Sequence, residues 1–281
     1  MDILFCVDRN FVPLAKNCVH SILKNGGCKR YDAYVLHSDL TETDMADLRS
    51  AGGDRMRFTF LTVPEDLFEG FPESDRYPRQ IYYRLIAPML LPRDMERILY
   101  LDVDTVVINP LAELEAMPFD GAWFMACTHV RKSLTRLNQI RLGMDLEKNA
   151  PYLNSGVLLF NLPLFREKLG MEQIRDYANQ RKGALLLPDQ DILTALCGDH
   201  VKLLDPLRYN LSDRILAFHN ANPQREQVDL DWVRRNSVII HYCGKNKPWR
   251  EGYKGILDVF YQENQVECGP SQADETLKNK F

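Results

Sequence analysis

What the chain lacks narrows its class first. No apolar run approaches the roughly 20 residues that a membrane-crossing helix needs. The opening, Met1-Asp2-Ile3-Leu4-Phe5-Cys6-Val7-Asp8, has no basic stretch ahead of its apolar residues, so it reads as a core strand and not as a signal peptide. The seven cysteines are odd in number, and no two stand in Cys-x-x-Cys spacing. Reduced, mostly buried thiols in a cytoplasmic protein are expected, and a cysteine zinc site is not. Neither sign of charge dominates: the net charge of −4 gives no global attraction to nucleic acid or anionic membrane. There is no internal repeat, low-complexity block or clear linker. The 281 residues, 45% hydrophobic and 26% charged, suit one large α/β domain or a domain with a small appendage.

The segment from Arg97 to Pro110 organises the rest. It is apolar and β-branched on both sides of Asp102-Val103-Asp104, and reads as a buried parallel strand running into a second extended piece. In extended backbone, side chains two apart share a face. Two carboxylates there repel each other and are costly to desolvate, and a cation between them removes both penalties. Hard oxygen ligands suit Mg²⁺ or Mn²⁺. Alone, Asp-x-Asp is a short and common pattern, equally compatible with a turn cap at Asp102 and a solvated Asp104.

Strand–helix–strand alternation is predicted over the first third: strands 3–7, 31–37 and 57–63, with helices 13–24 and 41–50 between them. Thr41 and Asp44 give the second helix a capped start. Residues 78–91 have helical spacing that Pro88 kinks or shortens. Strands at 122–127 and 152–161 and helices at 133–142 and 171–180 follow, then a helix opening at Pro188-Asp189-Gln190-Asp191. Short strands at 201–204 and 238–241 flank a stretch, 207–236, that reads as irregular. After Trp249 patterning weakens, and from Gln265 the chain is polar.

A second constellation closes the chain: His241-Tyr242-Cys243-Gly244-Lys245-Asn246-Lys247-Pro248-Trp249. A histidine at a strand end can complete a metal site as neutral imidazole. Gly244 lets backbone approach an anion, and Lys247 can neutralise a phosphate. Each residue also has a plain structural reading: Asp189 as a helix cap, Arg84 in a simple ion pair, Asn154 in a turn, Phe11 in the core. Their joint order distinguishes the two.

In that order they resemble glycosyltransferase family 8, retaining enzymes that include bacterial lipo-oligosaccharide galactosyl- and glucosyltransferases and, more distantly, glycogenin. The matching pieces are Val7-Asp8-x-Asn10-Phe11, Tyr83-Arg84-Leu85, Leu101-Asp102-Val103-Asp104, Asn154-Ser155-Gly156-Val157, Asp189-Gln190-Asp191 and His241-x-x-Gly244-x-x-Lys247-Pro248-Trp249. The resemblance runs from Ile3 to about Trp249. It implies a nucleotide-diphospho-sugar transferase (A-type glycosyltransferase) α/β/α sandwich with a mostly parallel mixed sheet. A single catalytic domain over 1–250 would be followed by a partly irregular extension, 251–281.

Carried over residue by residue, the resemblance implies that Asp102, Asp104 and His241 hold Mn²⁺, with Mg²⁺ as an alternative. Val7, Asp8, Asn10 and Phe11 would receive the base of a UDP-sugar, Phe11 by stacking where the family often has tyrosine. The Val103 backbone would approach the ribose, and Gly244 and Lys247 the diphosphate. Arg84, Asn154, Asp189 and Gln190 would surround the donor sugar and its reacting carbon. Charge gathers on the departing diphosphate, where a divalent cation and Lys247 stabilise it as it develops. The sugar becomes oxocarbenium-like, so nearby carboxylate or amide oxygens stabilise it.

The expected activity is transfer of galactose or glucose from a UDP-sugar to a hydroxyl of a saccharide or glycolipid, with retention. Front-face attack is preferred over a covalent intermediate, because the amide of Gln190 is a poor nucleophile. Acceptor contacts are expected in 133–149 and 211–226. The mixed-charge tail, 273–281, speaks against more than peripheral membrane docking. A UDP-sugar hydrolase, a non-catalytic sugar-nucleotide-binding module and a self-glycosylating scaffold remain as alternatives.

Overall fold

The computed structural model describes residues 1–73, 78–129, 132–148 and 150–265. The first third alternates as predicted: β1 (Asp2–Cys6), α1 (Val12–Asn25), β2 (Tyr31–His37), α2 (Glu42–Gly52) and β3 (Met56–Thr62). Thr41 and Asp44 close a reciprocal capping box at the start of α2. The predicted 78–91 helix divides into a 3₁₀ turn, Arg79–Tyr82, and α3 (Tyr83–Leu90), which ends two residues after Pro88. Then come β4 (Arg97–Leu101), β5 (Thr105–Val107), α4 (Ala112–Ala116), β6 (Phe124–Thr128), α5 (Lys132–Leu142) and β7 (Leu153–Asn161). The chain continues through α6 (Leu162–Lys168), α7 (Met171–Gln180), α8 (Pro188–Cys197), β8 (Val201–Leu203), α9 (Pro206–Tyr209), α10 (Asp213–Asn220), α11 (Leu230–Asn236), β9 (Ile239–His241) and α12 (Asp258–Glu263).

Seven strands form one sheet in the order β3-β2-β1-β4-β7-β6-β8. β1 is parallel to β2 and β4, β2 to β3, and β6 to β8. β7 alone runs antiparallel to its neighbours, β4 and β6. Alternate residues feed opposite layers. Leu99, Leu101, Val157 and Leu159 face the side covered by α1 and α2, while Ile98, Tyr100, Leu158 and Phe160 face α3, α6 and α8. The result is a three-layer α/β/α sandwich.

β5 and β9 form a separate antiparallel pair with Thr105 opposite His241. Around it lies a third small core: Val106, Leu211, Leu216, Val233, Ile240, Tyr242 and Phe260. This corrects the irregular reading of 207–236, which holds α10, α11 and most of α9. Their apolar residues find this satellite core, where each fully buried side chain contributes about 1.5–3 kcal/mol. Their starts are capped by Asp205, Ser212 and Asp229, whose side chains accept from backbone N–H groups two or three residues on. The tail 273–281 lies outside the described residues. Among the described residues no helix is long and apolar enough to cross a membrane.

Candidate active site

Asp102 and Asp104 leave the carboxyl end of β4, where the chain quits the large sheet for β5. The backbone between them is a turn, and this corrects the expectation of a shared pleat. The Thr105 hydroxyl donates to the Asp102 carbonyl at 2.7 Å, bending the chain so that both carboxylates still converge. The β5–β9 pairing brings His241 to them. Its Nε2 lies 3.1 Å from Asp104 Oδ1 and 3.6 Å from Asp102 Oδ2. One ligand atom from each residue falls within 4.8 Å of the others.

The outer oxygens are already occupied. Arg84 Nη1 is 2.9 Å from Asp102 Oδ1, and the Tyr100 hydroxyl donates to the same oxygen at 2.5 Å. Lys247 Nζ is 2.5 Å from Asp104 Oδ2 and donates to the Tyr242 carbonyl at 2.8 Å. Asp102 Oδ2, Asp104 Oδ1 and His241 Nε2 are therefore left facing one another, a set of hard oxygens and one imidazole nitrogen that fits Mn²⁺ or Mg²⁺. Burial would raise the Asp104 carboxyl, but the Lys247 ammonium and the His241 ring outweigh it and hold the group below the usual carboxylate range.

Arg84 also reaches Asp189, with Nη1 3.3 Å from Oδ2 and 3.2 Å from the Ser155 carbonyl. Its guanidinium lies 4.9 Å above the Tyr100 ring. Burial raises the Asp189 carboxyl, against the pull of Arg84 and the Ser155 hydroxyl, which donates to Oδ2 at 2.8 Å. The helix-start role that a plain reading gives Asp189 belongs to Asp191. That fully buried carboxylate accepts from the N–H groups of Leu186 and Leu187 at 2.7 and 3.1 Å, from Tyr152 at 2.7 Å, and pairs with Arg141. Asp189 is thereby left to Arg84 and Ser155, beside the centre. Asn154 donates to Gln190 Oε1 at 3.3 Å.

Val7 is buried, and its N–H donates to the Leu36 carbonyl at 3.1 Å. Asp8 accepts from Asn10 N–H at 2.7 Å and starts the 3₁₀ turn Arg9–Phe11, with Phe11 packed partly into the core. This turn leaves the carboxyl end of β1, beside β4. Burial pushes the neighbouring Cys6 thiol up, with Arg84, Asp102 and Asp189 close enough to act on it. Val103 turns its side chain into the core between the two aspartates. Gly244 has φ +90°, a backbone that favours glycine, and a Cβ there would meet only open space.

Two residues to which sequence reasoning assigns no role complete the centre. A Cβ at Gly156 would stand 2.2 Å from His241 Cε1 and 2.7 Å from Asp102 Oδ2, so only glycine lets the three meet. Asn210, fully buried, touches both His241 and Asn154. Gly156 was visible in the Asn-Ser-Gly motif, whereas Asn210 lies in the stretch that read as irregular.

A mostly parallel sheet with an Asp-x-Asp turn at the carboxyl end of β4, met there by a histidine from the separate β5–β9 pair, has the architecture of an A-type glycosyltransferase. Among solved structures, that of galactosyltransferase LgtC with donor and acceptor sugar analogues is similar, at TM-score 0.78 and 25% identity over 98% of this chain and 100% of that one. Residues 2–252 match the sequence model of glycosyl transferase family 8, and the chain belongs to that family and is a hexosyltransferase. It is 25% identical to a lipopolysaccharide 1,2-glucosyltransferase of Escherichia coli K12, over 98% of this chain and 80% of that protein. It is also 25% identical to general stress protein A of Bacillus subtilis, over 90% of this chain and 89% of that protein.

Proposed function

We propose that the protein is a cytoplasmic, metal-dependent, retaining hexosyltransferase that moves galactose or glucose from a UDP-sugar to a hydroxyl of a saccharide or glycolipid. The observation that carries this reading is the inward-facing set of Asp102 Oδ2, Asp104 Oδ1 and His241 Nε2, each carboxylate's other oxygen being covered by a cation. A relative named as a lipopolysaccharide glucosyltransferase supports the acceptor class. Residues 1–250 form the catalytic unit, and 251–281 are an extension to it.

Mn²⁺, with Mg²⁺ as a substitute, supplies Lewis-acid stabilisation of the diphosphate when bound. Asp102, Asp104 and His241 hold it. The base is received by Val7, Asp8, Asn10 and Phe11, and the ribose by the Val103 backbone. Lys247 and Gly244 meet the diphosphate, Lys247 exchanging its contact with Asp104 for one with phosphate oxygen as charge builds there. Arg84, Asn154, Asp189 and Gln190 surround the sugar. Burial keeps their dipoles effective toward an oxocarbenium-like carbon. Retention by front-face attack suits this set, because an amide is a weak nucleophile and Asp189 is held by Arg84 and Ser155.

Calorimetric titration of UDP, with Mn²⁺ and then with chelator, tests the reading. Binding that needs Mn²⁺ and disappears in Asp104→Ala supports it. Equal binding with chelator present would leave a non-catalytic nucleotide-sugar-binding module as the better account. Sugar release from UDP-galactose or UDP-glucose, with and without saccharide acceptors, then separates transfer from hydrolysis.

A further inference from the structure

The hydrogen bonds behind the carboxylates form one directed chain that begins at a backbone group. The N–H of Gly156 donates to Asn154 Oδ1 at 3.1 Å, and since a backbone N–H can only donate, this fixes which way the Asn154 carboxamide faces. The second neighbour of that oxygen, 2.8 Å away, must then also be a donor, which makes it Nδ2 of Asn210. Asn210 Oδ1 is accordingly turned toward His241, 2.9 Å from Nδ1. An amide oxygen only accepts, so Nδ1 of His241 carries a proton. Nε2 is left as the nitrogen that faces Asp102 and Asp104.

Asn210 is itself held from several sides. His129 Nε2 donates to its carbonyl at 2.9 Å. Leu211 bridges to Ile240 in the manner of a third strand, its N–H on Ile239 and its carbonyl receiving the N–H of His241 at 2.7 Å. Asn210 and His241 thus move as one unit, although 31 residues separate them in the chain.

We propose that Asn210 is a positioning residue for metal binding: it locks His241 in the Nδ1–H form and so commits Nε2 to the cation. This rests on the metal reading given above. The outer hydrogen bond of a metal-bound histidine fixes its tautomer and orientation, and losing it costs about 10–100-fold in metal affinity. The Asn154 amide in this chain also donates to Gln190 Oε1, so the anchor that orients the metal histidine orients the sugar-side amide as well.

The test combines ¹⁵N-histidine NMR with Mn²⁺ calorimetry on the full chain without nucleotide. The His241 signal is assigned by its loss in His241→Gln. A proton on Nδ1 is expected in metal-free and Mg²⁺-loaded protein. Asn210→Leu is expected to weaken Mn²⁺ binding about 10–100-fold, while Asn210→Asp, which gives up the donor to Asn154 but still accepts the Nδ1 proton, is expected to lose clearly less affinity than Asn210→Leu. A merely structural asparagine would lower the melting temperature in both variants without separating their Mn²⁺ affinities. A proton on Nε2 in neutral wild-type His241, or wild-type Mn²⁺ affinity in Asn210→Leu, would overturn the role of Asn210. Wild-type protein that takes up no Mn²⁺ would instead overturn the metal reading itself, and with it any metal role for Asn210.

Discussion

Gly156 and His241 are in contact so close that the glycine has no room for a side chain: a Cβ would lie 2.2 Å from the ring Cε1. The carbonyl of Gly156 meanwhile accepts from the N–H of Asp102 at 2.8 Å, so the same residue fixes one carboxylate and makes space for the ring. In Gly156→Ala the ring and the Asp102 carboxylate must shift. Overpacking of this kind costs about 1–3 kcal/mol. A modest fall in melting temperature with complete loss of Mn²⁺-dependent UDP binding is expected. Unchanged calorimetry would show that the ring can yield without disturbing the site.

Arg84 bridges Asp102 and Asp189 from a buried position, and their charges hold its guanidinium firmly protonated against the opposing effect of burial. Arg84→Met keeps the stem but leaves the buried Asp189 and the half-buried Asp102 without the cation between them. Breaking a buried pair in this way destabilises by about 3–5 kcal/mol. Urea unfolding in chelator should show that loss, and Mn²⁺ should restore more of it than it adds to wild type, since the cation then supplies missing positive charge. Equal Mn²⁺ effects in the two proteins would count against a shared electrostatic centre.

Burial, reinforced by the neighbouring His241 ring, lowers the pKa of His129 to about 3 from the ordinary 6.5. The unfolded chain therefore binds a proton at this residue between those values and the folded protein does not. Stability contributed by the neutral ring is complete above about 6.5 and declines as the pH falls toward about 3, by up to about 1.4 kcal/mol per pH unit. His129→Gln retains a donor for the Asn210 carbonyl and removes the titration. Its unfolding free energy should fall less steeply than wild type between pH 6.5 and 4. Parallel slopes would show that other groups dominate acid unfolding.

Asp229 caps α11 by accepting from Trp232 N–H at 2.7 Å. Asp229→Ala should cost about 1 kcal/mol, read as a lower urea midpoint with UDP binding intact. Loss of UDP binding would mean that the satellite core and the site are coupled more tightly than the cap alone requires.

The large sheet was legible because its strands are continuous apolar runs and its first helices carry capping and glycine stop signals; β2 and α7 fall on their predicted residues. The three helices between β8 and β9 were not, because four to eight residues are too few to establish a helical period. Their aspartate and serine caps were the only local sign. At the site, Asp102, Asp104, His241, Arg84, Asn154, Asp189 and Gln190 were singled out from the order of motifs, and the fold gathers them around one centre. The turn at Asp102–Asp104 escaped the same reading because strand propensity cannot show where a chain changes sheets. Asn210 escaped it because a buried asparagine between apolar neighbours has no distinguishing local pattern.

Asp104 and Lys247 lie 143 residues apart in the chain. On a ribosome adding about 5–20 residues per second, Asp104 emerges roughly 7–30 s before its lysine, and nearly as long before its histidine. Arg84 precedes Asp102, so one aspartate has its counter-ion from the outset while the other waits. On the metal reading proposed above, the ligand set is therefore complete only once the last strand, which carries His241, has been made.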